Sequence, residues 1–216
     1  MDTSKKIADK VYTLFSSYGI RSISMDDIAS DLRISKKTIY QFYSNKDSLV
    51  ETFVDTAIAE NIFRCKSLIA KSDDAIIELY FLLVNVMELY NILNPAIVYD
   101  LEKNHELAYE KLKGHKAMFI HQTVKANIAR GVKTGLYRND FDMDVITRFF
   151  LESLAIISNS GIFLPANHKI KPTDEVFACL ISGIATITGI EVVNAYKNQR
   201  GIMLLSNYEE MPFWDH

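Results

Sequence analysis

Three helix-start signals lie within the first fifty residues, and their spacing restricts the fold more than any other feature of the chain. Ser24, Ser35 and Ser44 each precede a segment of helical periodicity, and Asp27 and Asp47 stand three residues after the first and third of them. A serine there accepts a hydrogen bond from a free N–H group of the first turn, and the acid returns one to the serine backbone. The spacing therefore predicts two short helices followed by a long one.

Two short helices joined by a tight turn form the helix-turn-helix motif. In that motif the second helix lies in the DNA major groove, and its N-terminal residues face the bases. Here the second short helix is predicted over residues 36–42, so this end consists of Lys36, Lys37 and Thr38. The N-terminal segment is therefore predicted to be a small DNA-binding domain.

The charges are distributed unevenly along the chain. A net charge of −3 argues against a protein that coats nucleic acid, yet residues 1–50 carry eight basic and six acidic groups. After Asp31 come fifteen residues without an acid, which include Arg33, Lys36, Lys37 and Lys46. A basic patch on an acidic body suits a small nucleic-acid-binding surface. A solvated polar face is the alternative interpretation.

The remainder of the chain is helical by its periodicity. Glycine and proline are scarce, at eight and four in 216 residues, which permits long helices and disfavours a many-turned β-sandwich. We expect an all-α protein of about nine helices, with a helix-turn-helix DNA-binding domain over 1–48 and a ligand-binding and dimerisation domain over 49–216. Ser72 and Asp142 are predicted caps, and the helices that follow the DNA-binding domain are predicted over 73–93, 96–112, 115–133, 143–160 and 173–198. Residues 161–172 are predicted to form a loop and 201–216 an irregular tail.

The apolar stretches and the cysteines indicate the compartment. Residues 176–190 lack charge, but they fall short of the roughly 18 apolar residues of a membrane span. Cys65 and Cys179 lie far apart, so neither a disulfide framework nor a paired-cysteine metal site is indicated. We expect a cytoplasmic protein without a cofactor, a structural metal or a membrane partner.

Small residues recur along the last predicted helix. Ala178, Ser182, Ala185 and Gly189 follow one another at spacings of four, three and four, which places them on one face of a single helix. Small residues let two helix backbones approach closely, and the opposite face is also apolar. We predict a two-fold dimer interface there, to which the preceding helix contributes Phe149 and Leu154. Burial of both faces within one chain is the alternative.

Residues 22–50, which read SISMDDIASDLRISKKTIYQFYSNKDSLV, resemble the DNA-binding signature of the tetracycline-repressor (TetR) family of bacterial regulators. The matching positions, with serine in place of threonine at the first, are Ser24, Asp27, Ile28, Ala29, Ser35, Thr38, Ile39, Tyr40, Asn45, Lys46, Asp47 and Leu49. The family's Ala-Gly turn is Leu32-Arg33 here, and a left-handed backbone at Arg33 costs about 1 kcal/mol relative to glycine. The turn is therefore either strained or re-formed.

The resemblance implies a one-component transcription regulator, more usually a repressor, that binds a palindromic DNA operator as a homodimer and is released by a small-molecule effector. It implies phosphate contacts from Thr38, Tyr40 and Lys46, and base contacts from Lys36, Lys37 and Gln41. Ser24, Arg33 and Tyr43 complete the predicted DNA-binding set, with Arg33 either at a phosphate or in solvent. An effector pocket within residues 73–160 is also implied, and its candidate lining residues are Asn85, Glu88, Tyr99, Met118 and His121.

One motif favours a different class of protein. Glu102 and His105 form a Glu-x-x-His pair, which di-iron helical bundles supply from each of two helices, but this chain has one copy. The alternative function is therefore an all-helical ligand- or metal-binding bundle, a carrier or an enzyme, that does not bind DNA. Because no nucleophile motif positions a serine or a histidine, we do not expect an enzyme.

Overall fold

The computed structural model describes residues 3–158 and 172–199, and the all-α prediction is confirmed for that part of the chain. A π-helical segment, His115–Ile120, joins α7 to α8. The helices are α1 Thr3–Tyr18, α2 Met25–Leu32, α3 Lys36–Tyr40, α4 Lys46–Lys71, α5 Ala75–Ile92, α6 Pro95–Asn104, α7 Glu106–Gly114, α8 His121–Lys133, α9 Met143–Ser158, α10 Pro172–Ile184 and α11 Ile187–Gln199. The predicted tail lies outside the described residues, as does the predicted loop up to residue 171.

The chain forms two compact units. The first contains Met1–Cys65 and Glu88–Ile120, and the second contains Lys66–Met87 and His121–His216. The predicted domain boundary after residue 48 falls in the first turn of α4, which continues unbroken to Lys71. That boundary stays a prediction.

The N-terminal helices of the first unit pack around a core of apolar side chains. Ile7, Val11 and Phe15 form the buried face of α1, and each is 0% exposed. Phe15 meets Phe53 of α4 edge-to-face, with their ring centroids 5.6 Å apart. This core fixes the start of α4 beside the two short helices, and their buried contributions come from Ile28, Ala29 and Ile39.

Three of the five predicted caps are confirmed, and the other two lie one and two residues further along the chain. Ser24, Ser35 and Asp142 cap α2, α3 and α9 as predicted. The cap of α4 is Asn45 rather than Ser44, because the Asn45 side chain accepts a hydrogen bond from the Ser48 N–H at 2.9 Å. The cap of α5 is Asp74 rather than Ser72, since Asp74 Oδ1 accepts from the N–H groups of residues 76 and 77.

The prediction of one helix over 96–112 is wrong. The segment breaks at His105, whose backbone lies outside the helical region at φ −137° and ψ 62°. The His105 side chain bonds Asp47 in the first turn of α4, with 2.7 Å between Nδ1 and Oδ1. Lys111 of α7 then bonds Glu51 and Asp55, one and two turns further along α4. The break therefore aligns α7 with an acidic face of α4.

The prediction of one helix over 173–198 is also wrong. In the second unit the turn that contains Leu136 and Tyr137 lies against the chain where α10 ends and α11 begins. The Arg138 N–H donates to the Ile184 carbonyl at 2.7 Å, and the Thr186 N–H donates to the Leu136 carbonyl at 3.0 Å. These bonds replace the helical bonds that a continuous helix would make at the Ile184 carbonyl and the Thr186 N–H. Tyr137, 2% exposed, also donates its hydroxyl to the Ala75 carbonyl at 2.8 Å.

Gly189 is the small residue on which this packing depends. A Cβ there would overlap the carbonyl oxygen of Leu136, which is backbone and cannot rotate away. We expect Gly189→Ala to lower the free energy of unfolding by about 1–3 kcal/mol, the range typical of overpacked sites. The matched control is Gly183→Ala in α10, where a Cβ meets nothing within 4 Å. Urea unfolding measures both, and equal midpoints for the two variants would contradict the close approach.

Helix α5 is the most apolar element. Ala75–Ile92 is long and apolar enough to span a membrane, but 72% of that stretch is buried inside the protein. Burial of this kind is what a core helix shows, so its composition is weak evidence for a span.

Candidate nucleic-acid interface

The two short helices are held by local hydrogen bonds at their N-termini. The Ser24 N–H donates to Asp27 Oδ2 at 2.8 Å, and the Asp27 N–H donates to Ser24 Oγ at 3.2 Å. Ser35 Oγ accepts from the Thr38 N–H at 3.1 Å, and the two hydroxyls are 2.9 Å apart. Each helix therefore begins at a residue fixed by the sequence, which sets the side chains of its first turn.

The turn between α2 and α3 keeps a left-handed residue at Arg33. Its φ is 55° and its ψ is 41°, and among the described residues other than glycine it alone has a positive φ. The turn is closed by the Ile34 N–H, which donates to the Ala29 carbonyl at 3.0 Å. The strained alternative is therefore the one observed, at a cost of about 1 kcal/mol relative to glycine. The Arg33 side chain is exposed, which fits both a phosphate contact and solvent.

Helix α3 presents its basic first turn to solvent. Lys36 and Lys37 are both exposed, whereas Ile39 behind them is fully buried. The helix ends at Tyr40, earlier than the predicted residue 42, because Gln41 is its C-cap. Tyr40 and Gln41 are nevertheless exposed, so the structure keeps these two predicted DNA contacts on the surface of the domain.

Two of the predicted DNA-contact residues also make hydrogen bonds to other residues of the first unit. Tyr43 is half-buried, and its hydroxyl lies 3.2 Å from both the carbonyl and the hydroxyl oxygen of Ser4. Lys46 Nζ donates to the Ile20 carbonyl at 2.7 Å and lies 6.0 Å from the centre of the Phe15 ring. Burial lowers the pKa of Lys46 from its ordinary value. Each residue thus has a structural role beside its predicted role at DNA.

Sequence reasoning missed one residue on this surface. Asp26, in the first turn of α2, accepts a hydrogen bond from Lys36 Nζ at 2.9 Å. That bond raises the pKa of Lys36 from its ordinary value. The pairing crosses from one short helix to the other, ten residues apart in sequence, so helical periodicity gives no signal for it.

The candidate effector-pocket residues have different local environments. Tyr99 and Met118 are 63% and 66% exposed, so within the described residues neither is enclosed by its neighbours. Glu88 is paired with Arg64, 2.6 Å from carboxylate oxygen to guanidinium nitrogen. Asn85 is 1% exposed, and His121 lies 3.9 Å from an Asp144 oxygen. The location of an effector stays a prediction.

The predicted dimer residues are divided between surface and interior. Phe149 and Ser182 are exposed and Ala178 is half-buried, so these three fit an interface. Leu154 is fully buried within the subunit. Ala185 and Gly189 lie beyond the end of α10 and pack against the turn at Leu136, so the predicted single face over all four small residues is wrong.

The Glu-x-x-His motif does not belong to a cluster of metal ligands in the described part of the chain. His105 is occupied by Asp47, as described above. No group of three or more His, Cys, Asp or Glu side chains within the described residues is arranged to hold a metal ion.

The described part of the chain is all-helical, and its N-terminal helix-turn-helix presents an exposed basic first turn. These features define the helix-turn-helix class of DNA-binding proteins. Residues 7–53 match the family model described as "Bacterial regulatory proteins, tetR family". The helix-turn-helix segment of this chain is therefore similar to the DNA-binding domain of that family.

Known relatives agree with that placement. The chain is 31% identical over 107 residues to an uncharacterised transcriptional regulator, YvaF, of Bacillus subtilis, a match over 47% of this chain and 53% of YvaF. It thus spans about half the length of that relative. It is 24% identical over 161 residues to the transcriptional repressor KstR2 of Rhodococcus jostii, 70% of this chain and 79% of the repressor. The fold also matches a transcriptional regulator of Saccharomonospora viridis solved with choline, with a TM-score of 0.71 and 17% identity over 85% of this chain and 97% of the other.

Proposed function

We propose that this protein is a one-component transcription regulator, acting as a repressor, that binds a palindromic operator as a homodimer. The observation that carries the proposal is the capped, exposed first turn of α3, which holds Lys36 and Lys37 over a buried Ile39. A short helix with a basic, solvent-facing N-terminus is the element that such domains insert into the major groove. The function is binding and release rather than catalysis, in the cytoplasm.

The proposed contacts divide into two kinds. Thr38, Tyr40 and Lys46 bind phosphates and set the register of the domain on the duplex. Lys36, Lys37 and Gln41 reach base edges, where lysine suits guanine and glutamine suits adenine. The two DNA-binding domains of a dimer must present their α3 helices about 34–36 Å apart to meet successive major grooves.

The dimer is proposed to form through α9 and α10. Phe149 is 57% exposed on α9, and Ser182 is exposed on α10, which is in contact with α9. A large exposed aromatic beside small residues is a surface that a second copy can cover. This form of the interface omits Ala185, Gly189 and Leu154, which the subunit itself buries.

We expect Ser182→Arg to give a folded monomer that has lost most of its operator affinity. The arginine is tolerated by the free subunit because Ser182 is exposed, but at a close helix contact it buries a charge without a partner. Light scattering coupled to gel filtration measures the mass, and Ser182→Ala is the control that removes the hydroxyl alone. A Ser182→Arg protein that stays dimeric with unchanged operator affinity would move the interface elsewhere.

An effector is proposed to act by shifting a population. A small molecule that binds one spacing of the DNA-binding domains more tightly than another shifts the dimer toward it by that difference in affinity. The choline bound to the Saccharomonospora viridis regulator supports a small-molecule site in this fold.

Selection of bound fragments from random DNA tests the proposal directly. We expect the wild-type protein to enrich a palindromic motif and to shift a duplex that carries it. Release of that duplex by candidate effectors then identifies the ligand. A protein that enriches no motif would favour the all-helical binding bundle instead.

A further inference from the structure

An acidic side chain stands on the proposed DNA-binding surface. The carboxylate of Asp26 in α2 and the ammonium of Lys36 in α3 form an ion pair at 2.9 Å, with side chains 73% and 45% exposed. Acids are repelled by DNA phosphates, so a carboxylate at this place weakens general affinity. An exposed ion pair contributes little to the stability of a folded protein. Folding alone is therefore a weak reason for Asp26 to stand here.

The ion pair restricts a flexible group. A free lysine ammonium rotates on a flexible four-carbon stem and samples many rotamers. Asp26 lies in the first turn of α2, which begins at the capping box of Ser24 and Asp27. The carboxylate thus favours rotamers of Lys36 that place its ammonium beside Asp26 at the N-terminus of α3.

The two charged groups match the major-groove edge of one base pair. Guanine presents O6 and N7 as acceptors there, and cytosine presents the N4 amino group as a donor. Guanine O6 and cytosine N4 are hydrogen-bonded to each other, so they lie about 2.9 Å apart. The ammonium and the carboxylate are separated by 2.9 Å as well, and they carry the complementary polarity.

We propose that Asp26 is a specificity-determining residue, which positions Lys36 on guanine and accepts a hydrogen bond from the cytosine of the same pair. This assignment rests on the proposed function. A thymine–adenine pair also offers an acceptor beside a donor, but adenine N7 then faces the carboxylate and the thymine methyl faces the ammonium. The reversed C·G pair places the donor at the ammonium and the acceptors at the carboxylate. Both are disfavoured relative to G·C.

The test compares Asp26→Asn and Asp26→Ala with the wild type. The DNA probes are the duplex enriched by the wild-type protein and a series of duplexes with one base pair changed in each half-site. We expect wild-type affinity to fall by about 5–150-fold when one particular G·C pair is replaced. In both variants we expect the logarithm of this affinity ratio to fall below half of its wild-type value. We also expect the affinity for unrelated DNA to rise.

The matched control is Asp31→Asn. Asp31 also lies on α2 and is ion-paired, but its partner is Lys10 of α1, at 2.7 Å, rather than a residue of α3. The Asp31→Asn variant loses the same negative charge. We therefore expect it to bind unrelated DNA more tightly and to keep the base preference of the wild type. Circular dichroism checks that all three variants keep the helical content of the wild type.

The outcomes separate this assignment from the proposed function. A wild type that enriches a motif, together with Asp26 variants that keep every base preference, overturns the assignment alone. Loss of the same preference in Asp31→Asn also overturns it, because the effect would then be one of net charge. A wild type that enriches no motif overturns the proposed function and this assignment with it.

Discussion

Operator binding is expected to disappear when Lys36 and Lys37 are both replaced by glutamate. Each half-site would lose two base contacts, at about 1–3 kcal/mol each, and gain acids that face phosphates. Both side chains are exposed and the buried residue of α3 is Ile39, so the fold should be unchanged. A gel shift on the selected duplex measures the loss, with circular dichroism and dimer mass as checks of the fold.

The control for this variant carries the same change in charge at two other exposed lysines. Lys103 lies on α6 and Lys133 on α8, and both are exposed. The Lys103→Glu, Lys133→Glu protein should keep operator affinity within a few-fold. If the Lys36→Glu, Lys37→Glu protein still shifts the operator at moderate salt, α3 is not the element that binds DNA, and the proposed function is wrong.

A large loss of stability is expected as the pH falls from about 6.5 to 4, and His115 is its source. His115 is 7% exposed, its Nε2 lies 2.9 Å from Asn61 Oδ1, and its ring stacks on Phe119. Burial first, and the nearby Lys116 charge second, lower the pKa of His115 to about 4. The unfolded chain therefore binds a proton in this window that the folded chain does not. The stabilisation is complete above pH 6.5, and about 3 kcal/mol of it is lost by pH 4.

The matched variant is His115→Gln, which keeps a hydrogen-bonding side chain but does not titrate. Carboxylates with lowered pKa values, such as Asp27 and Asp144, add a loss of the same sign to both proteins. The difference between wild type and variant isolates the histidine. Urea unfolding at pH 7 and pH 4.5 should show a drop larger by about 2–3 kcal/mol for the wild type. Equal drops in the two proteins would show that His115 is not the source.

The local signals in the sequence were sufficient for the DNA-binding domain. Ser24 and Ser35 cap their helices because the partner N–H groups lie within three residues of them. The choice between Ser44 and Asn45 could not be made in this way, since both are good caps and stand one residue apart. Asn45 is the cap because its side-chain oxygen accepts from the Ser48 N–H, while its own N–H donates to Ser48 Oγ.

Non-local contacts account for the larger errors. Nothing near His105 in sequence announces its bond to Asp47, 58 residues earlier, and periodicity therefore continued the helix through it. The five candidate pocket residues are polar or large side chains on predicted helical segments. Which face of a helix turns outward depends on its neighbours, and for Tyr99 and Met118 these leave the side chain in solvent.

The turn that separates α10 from α11 has a consequence for the order in which the second unit acquires its structure. Thr186 bonds Gly135 across 51 residues, and Tyr137 bonds Ala75 across 62. Helices form from local contacts within about a microsecond, whereas distant contacts first require the closure of long loops. We therefore expect the bend at Ala185 to form late, after the turn has docked. Until then we expect residues 172–199 to be able to form a single continuous helix, which local periodicity favours.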